Sequence, residues 1–170
     1  MRILLAAASL VLLSASYALG ATDFSGTWVL DLRASNSSDP MLKRLGVSWI
    51  ERKLADSIEL ESIYTQTTTL LTIHTRGPAF GRTELIRIDG EPETKEERLT
   101  GPYTIRTEWI DREMKLLSTI SFHTKDRRDA QLTVLRELAD GGKTLLLTQT
   151  LKVSDELVPW IVLRVWRKRA

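Results

Sequence analysis

Cysteine is absent from the chain. That excludes a disulfide framework, a thiolate nucleophile, a cysteine-based metal site and a lipid-modified cysteine. Histidine is almost as scarce: His74 and His123 are the only two, and both fall on the more polar parity of their segments. A histidine-built metal site or general base is therefore not expected. Neither a Gly-x-Ser-x-Gly elbow, a His-Glu-x-x-His pair nor a phosphate-cradling glycine loop occurs, so no catalysis, cofactor or metal is expected. The acidic stretch from Glu93 to Glu97 reads as a solvated strand face rather than as paired catalytic carboxylates. Excess charge of one sign is missing too, with 24 basic against 22 acidic side chains, which leaves no footprint for nucleic acid. Long apolar runs are also lacking. The longest, Ile3 to Leu13, is shorter than the roughly 20 residues a spanning helix needs. With Arg2 before it and Ala18-Leu19-Gly20 after it, the run has the three features of an export signal. Cleavage after Gly20 would leave one domain, 21–170, in the periplasm of a bacterial host or secreted from a eukaryotic one. Asn36-Ser37-Ser38 fits the N-glycosylation pattern, a match too short to carry weight.

What the chain does have is period-two alternation of apolar and polar residues, the mark of half-buried strands. In the first strand Phe24, Gly26, Trp28, Leu30 and Leu32 share one face. Two short helices follow. Asp39-Pro40 supplies an N-cap and a proline at the first helical position, and Met41, Leu42 and Leu45 form an apolar stripe up to Gly46. Ser48 and Glu51 have capping-box spacing, with Val47, Ile50 and Leu54 on one face. From Ile58 onward strands are expected near 58–65, 69–75, 83–88, 94–98, 103–110, 114–123, 129–138, 143–152 and 158–167. Asp89-Gly90, Gly101-Pro102 and Asp140-Gly141-Gly142 offer turns between them. The expected fold is all-β, a ten-stranded up-and-down antiparallel barrel with a two-helix lid between strands one and two. Closure is the economical way to hide so many edges.

Three stretches carry a resemblance. Phe24-Ser25-Gly26-Thr27-Trp28 is similar to an F-x-G-x-W opening. Met41-Leu42-Lys43-Arg44-Leu45-Gly46-Val47 is similar to the segment that leads from strand one into a helix-turn-helix. Leu135-Arg136-Glu137-Leu138-Ala139-Asp140-Gly141 is close to V-R-E-L-x-D-G. In this order they resemble the fatty-acid-binding protein family, the small lipid-binding calycins, over nearly all of residues 21–170. That family's closing R-x-Y motif is matched in part, as Arg164-Val165-Trp166. The resemblance implies a cavity roofed by the two helices, in which a fatty acid or related lipid lies with its head group on inward side chains: Arg136, Arg164 and Trp166. Tryptophan in place of tyrosine removes a hydroxyl and leaves an indole N–H elsewhere. The export signal departs from a family that mostly stays in the cytosol. Phe80, after Gly77-Pro78, resembles by position an aromatic at the family's portal; the plainer alternative is an ordinary loop aromatic.

Alternation gives independent support for the arginines. Arg136 shares a face with Ala130, Leu132, Val134 and Leu138, and Arg164 with Val158, Trp160, Val162 and Trp166. Buried cations need a carboxylate, water or an anionic ligand as compensation, and a fatty-acid head group matches the guanidinium fork. Either arginine stacked on Trp28 is the alternative. Gln149 is expected inward with Leu145, Leu147 and Leu151, as a polar cavity contact or a water ligand. Trp109, Tyr103, Ile105, Met114, Ile120 and Phe122 have inward parity, to line a cavity or fill a core. Lys43, Arg44, Arg52 and Lys53 give the lid a cationic tilt suited to transient contact with a membrane surface, or to a solvated helix face. Ile161, Leu163 and Val165 suggest a covered outer face on the last strand. The expected function is non-catalytic carriage of a hydrophobic small molecule, a long-chain fatty acid, by a monomer. The alternative is a calycin scaffold or inhibitor with a filled barrel. Retinoids, haem and other lipids stay open as ligands.

Overall fold

In a computed structural model the protein is described for residues 20–78, 80–97 and 101–169. The expected leader lies, but for Gly20, outside the described residues. Ten strands form one antiparallel sheet: β1 (Gly26–Leu30), β2 (Glu61–Gln66), β3 (Leu70–Gly77), β4 (Phe80–Arg87), β5 (Glu93–Glu97), β6 (Gly101–Ile110), β7 (Lys115–His123), β8 (Asp129–Ala139), β9 (Thr144–Val153) and β10 (Trp160–Lys168). Helices α1 (Asp39–Arg44) and α2 (Trp49–Ala55) lie between β1 and β2. The expected strand count and helical insertion are both present.

Neighbours in the sheet run β4-β3-β2-β1-β10-β9-β8-β7-β6-β5. The sheet curls through a β1–β10 pairing that sets Trp28 against Lys168 and Leu30 against Trp166. Among the described residues no ladder joins β4 to β5, so the ring of hydrogen bonds has one gap. Both edges turn charge inward there. Arg82 pairs with Glu84 at 3.1 Å, Lys95 with Glu93 at 2.8 Å, and Lys95 also donates to the Leu85 carbonyl across the gap. Inward-pointing charge on an unpaired edge discourages another chain from adding to it. Glu93 thus serves Lys95.

The main core gathers at the end of the barrel where β1 begins. Phe24, Trp28, Leu71, Leu116 and Leu145 are fully buried, each worth roughly 1.5–3 kcal/mol of burial. Trp28 Nε1 donates to the Phe24 carbonyl at 3.0 Å. The cation over the Trp28 ring is Lys168, 5.3 Å from its centroid, and not Arg136 or Arg164. Gly26 beside it holds φ +142°, a conformation L side chains rarely adopt, and a Cβ there would come within 2.9 Å of the end of the Lys168 side chain. A second cluster, with Met41, Phe122, Leu151 and Val162, lies under α1.

The helices depart from expectation in two ways. Ser38, not Asp39, is the N-cap of α1, and its side chain caps nothing in the helix. Its hydroxyl donates to Asp56 Oδ1 at 2.7 Å instead. The Ser48–Glu51 capping box of α2 is formed, but only Val47 of the expected apolar stripe is buried. Ile50 and Leu54 are exposed, as is Trp49, and no residue of α2 is buried. Two smaller expectations also change. Met114 lies in the β6–β7 turn and is exposed, and Val165 on β10 is buried within the single chain while Ile161 is exposed.

Candidate ligand cavity

A cavity of about 790 Å³ lies inside the curled sheet beneath the helices, within the 300–1,000 Å³ usual for small-molecule sites. Its wall is mainly apolar, with Leu42, Leu45 and Val47 at the lid and Ile73, Ile105, Ile120, Val134 and Leu147 on the strands. Period-two alternation on a curved sheet explains this, since every second residue of each strand must face the interior. Tyr103 and Phe122 line it as their parity suggested.

The polar groups on this wall form a connected set. Arg136 is 5% exposed. Its Nη1 donates to Ser118 Oγ at 2.8 Å, and Ser118 Oγ also accepts from Thr107 Oγ1 at 2.9 Å. Burial pushes the Tyr64 phenol above its ordinary value, and the Arg136 guanidinium beside it pulls the other way. Across the cavity Ser62 and Thr75 share a hydrogen bond of 2.7 Å. Gln149 and Trp166 are on the same wall. Arg136 Nε and Trp166 Nε1 are buried without an acceptor in the protein.

Arg164 stands in one cross-strand row with Leu147 and Arg136, yet its head leaves the cavity. It pairs with Asp56 at 3.4 Å and donates to the carbonyls of Asn36 and Ala55 at 3.3 and 3.2 Å. These acceptors sit where the helical hairpin leaves β1 and rejoins the sheet, so Arg164 ties the root of the lid to β10. Burial lowers the affinity of its guanidinium for the proton, and the Asp56 charge opposes this. Burial alone would raise the Asp56 pKa, but hydrogen bonds from Ser37 and Ser38 and the Arg164 charge outweigh it and bring it down to about 2. A depressed carboxylate stabilises the fold above its unfolded value of 3.8 and loses that contribution as pH falls toward its folded value. Urea midpoints are accordingly expected to hold down to about pH 5 and to fall between about pH 4 and 2, with a shallower fall in Asp56→Asn. Equal slopes for the two proteins would remove Asp56 from this role.

Other expected site residues are dispersed. Trp109 is off the cavity; it stacks on Phe24 with ring centroids 5.9 Å apart and planes 12° apart, filling the core. Phe80 opens β4 opposite Gly77, and its side chain lies outside the described residues. Of the basic lid residues, Arg44 is engaged by Glu156 at 2.5 Å and Arg52 by Asp39 at 3.1 Å. Lys53 approaches Asp39 at 3.8 Å while remaining largely exposed. His74 and His123 are exposed, bonded to Thr83 and Asp129, and among the described residues no group of side chains is arranged to hold a metal ion. Tyr64 and Ser118 were not singled out from sequence, and Asp56 was read as a partner for the basic helix residues and not for Arg164. Only the inward parity of Tyr64 and Ser118 hints at them, and Asp56 meets its arginine from 108 residues away.

A curled ten-stranded sheet with two helices after its first strand and an apolar interior cavity is the fold of the fatty-acid-binding and cellular retinol-binding proteins. No protein-family model matches the chain, and no curated protein matches it in sequence. Its likeness is to solved structures at low identity. A structure described as the REP1-NXSQ fatty acid transporter superposes with a TM-score of 0.64 at 19% identity, over 87% of this chain and 97% of that one. The Schistosoma mansoni fatty acid binding protein in complex with arachidonic acid gives 0.62 at 19%, covering 86% and 96%. Human cRBP IV gives 0.63 at 18%, covering 87% and 99%.

Proposed function

We propose that residues 21–170 form an exported, non-catalytic carrier of one long-chain fatty acid, held with its tail along the apolar wall and its carboxylate at Arg136. The observation that carries this reading is a cavity of about 790 Å³ in which a deeply buried guanidinium keeps an unused donor. An uncompensated buried cation is costly, and an anionic head group on an apolar tail satisfies both the charge and the wall. The likeness to a fatty acid transporter and to a protein solved with arachidonic acid supports the ligand class. Export rests on the Arg2 to Gly20 pattern alone. Trp49, Ile50 and Leu54, exposed on α2, favour brief contact of the lid with a membrane during loading.

The test is to purify the chain, identify what co-purifies by native and lipid mass spectrometry, and then titrate lipids into the stripped protein. A stoichiometric fatty acid is expected. A neutral lipid in its place would retire the Arg136–carboxylate assignment, and a barrel that arrives empty and refuses added lipids would favour a scaffold acting through protein contacts.

A further inference from the structure

The large apolar side chains left exposed among the described residues gather mainly in two places, α2 and the entry to β10. At the second, Leu157 is fully exposed, Val158 75%, Ile161 62% and Trp160 37%. Single exposed apolar residues are ordinary, but four together make a patch of roughly 300–400 Å², the size that marks a contact surface. The loop that carries them is fixed at its base. Glu156 takes Arg44 at 2.5 Å and the Trp160 indole at 3.2 Å, and the Ser154 amide donates to the Asp129 carbonyl at 2.8 Å. Leu157 and Val158 therefore project as a preformed knob, with little ordering left to do on contact.

Beside the knob lies an open groove of about 880 Å³, with Leu157 and Pro159 at one side. Its floor is a cross-strand row, Thr104, Ser121, Gln131 and Lys152. These residues have the parity opposite to Ile105, Ile120 and Leu132, which line the ligand cavity, so the groove is on the outer face of the sheet. A knob next to its own groove is self-complementary. A two-fold axis between them sets each knob in the other copy's groove, and the contact closes after two copies.

Charge fits the same exchange. Lys152 is in the groove and Asp155 is two residues before the knob; both are exposed, and among the described residues neither has an ionic partner. Area fits it too. Each copy would bury its own patch and the groove wall that receives the other's, roughly 600–800 Å² per copy, against about 800 Å² per partner in a standard interface.

We propose that the protein forms a reversible two-fold dimer through this face, in place of the expected monomer. Leu157 and Val158 of each copy sit in the groove of the other, and Lys152 of one copy pairs with Asp155 of its mate at the rim. The ligand cavity takes no part, so the dimer stands or falls apart from the carrier reading.

Sedimentation velocity on the lipid-free protein, from about 1 µM to about 1 mM, tests it, and a monomer–dimer midpoint of about 10–100 µM is expected for an interface of this size. Leu157→Asp is expected to weaken association more than about 30-fold, because the change enters a two-fold contact twice. Lys152→Asp and Asp155→Lys should each weaken it about tenfold, and the two changes together should bring it back to within about threefold of the parent. All three side chains are exposed, and unchanged denaturation midpoints confirm that the variants are folded. A wild type that stays monomeric over the whole range, a dimer indifferent to Leu157→Asp, or a charge-swapped double variant as weak as the singles overturns the proposal. Monomers that bind phospholipid vesicles, and lose them with Leu157→Asp, give the patch to a membrane and overturn it equally.

Discussion

Replacing Arg136 with methionine is expected to leave the empty protein at least as stable as the parent, by up to about 2 kcal/mol, while weakening fatty-acid binding about 30-fold or more. The two effects share one origin. In the empty barrel the guanidinium is buried with a donor unpaired, and exchanging buried charge for apolar volume is often neutral or stabilising. The loss of the hydrogen bond to Ser118 works against this, but Ser118 still accepts from Thr107, so the offset is about 1 kcal/mol. On the proposed reading the same group faces the ligand's charge in the loaded barrel, and removing one member of such a pair costs about 2 kcal/mol or more, which is about 30-fold in affinity. Chemical denaturation of the lipid-free protein and calorimetric titration measure the two separately. A variant much less stable than the parent, with unaltered affinity, would make Arg136 a core residue and nothing else.

The second large effect is at the root of the lid. Asp56→Ala is expected to destabilise the protein by about 3–5 kcal/mol, because it strands the buried Arg164 without its counter-charge and removes the acceptor for the Ser38 amide and hydroxyl. That is a large fraction of the 5–15 kcal/mol typical of a folded domain. Arg164→Met should cost less, since Asp56 keeps its serine donors and is partly reached by water. The double variant should then recover more than 1 kcal/mol relative to the sum of the singles. Fatty-acid affinity of Arg164→Met is expected within about threefold of the parent, where a head-group contact would cost much more. A large affinity loss with little change in the denaturation midpoint would return Arg164 to the ligand.

These two arginines mark where sequence reasoning reached and where it stopped. Strand parity is local, so it found the ten strands, the inward direction of both arginines and the cavity faces of Tyr103, Ile105, Ile120 and Phe122. It could not tell where a long side chain ends. Arg136 and Arg164 have the same parity and stand in the same row, and only the arrival of Asp56 on the lid separates a free donor from a spent one. Trp109 is a related case: parity turned it inward, to line a cavity or fill a core, and the start of the chain brings Phe24 against it and settles it in the core. The exposed faces of Ile50 and Leu54 show the limit of amphipathic patterns in a seven-residue helix, whose apolar stripe can equally mark a surface left open. The gap between β4 and β5 was the least legible feature, since a closed and a nearly closed sheet carry the same alternation.

The pairing of β1 with β10 has a consequence for how the molecule comes into being. Every other neighbouring pair in the sheet is a local one, available as soon as two successive strands have left the ribosome, apart from β1 with β2, which waits for the helical insertion between them. Strand β1 is made first, and its second partner is made last. Until synthesis reaches Lys168, Trp28 has no cation above it and the lid has no Arg164 to hold its root. The cavity is therefore enclosed only once β10 has paired with β1, a long-range contact of the kind that is slow to form, and a chain lacking β10 has most of its wall but no enclosure.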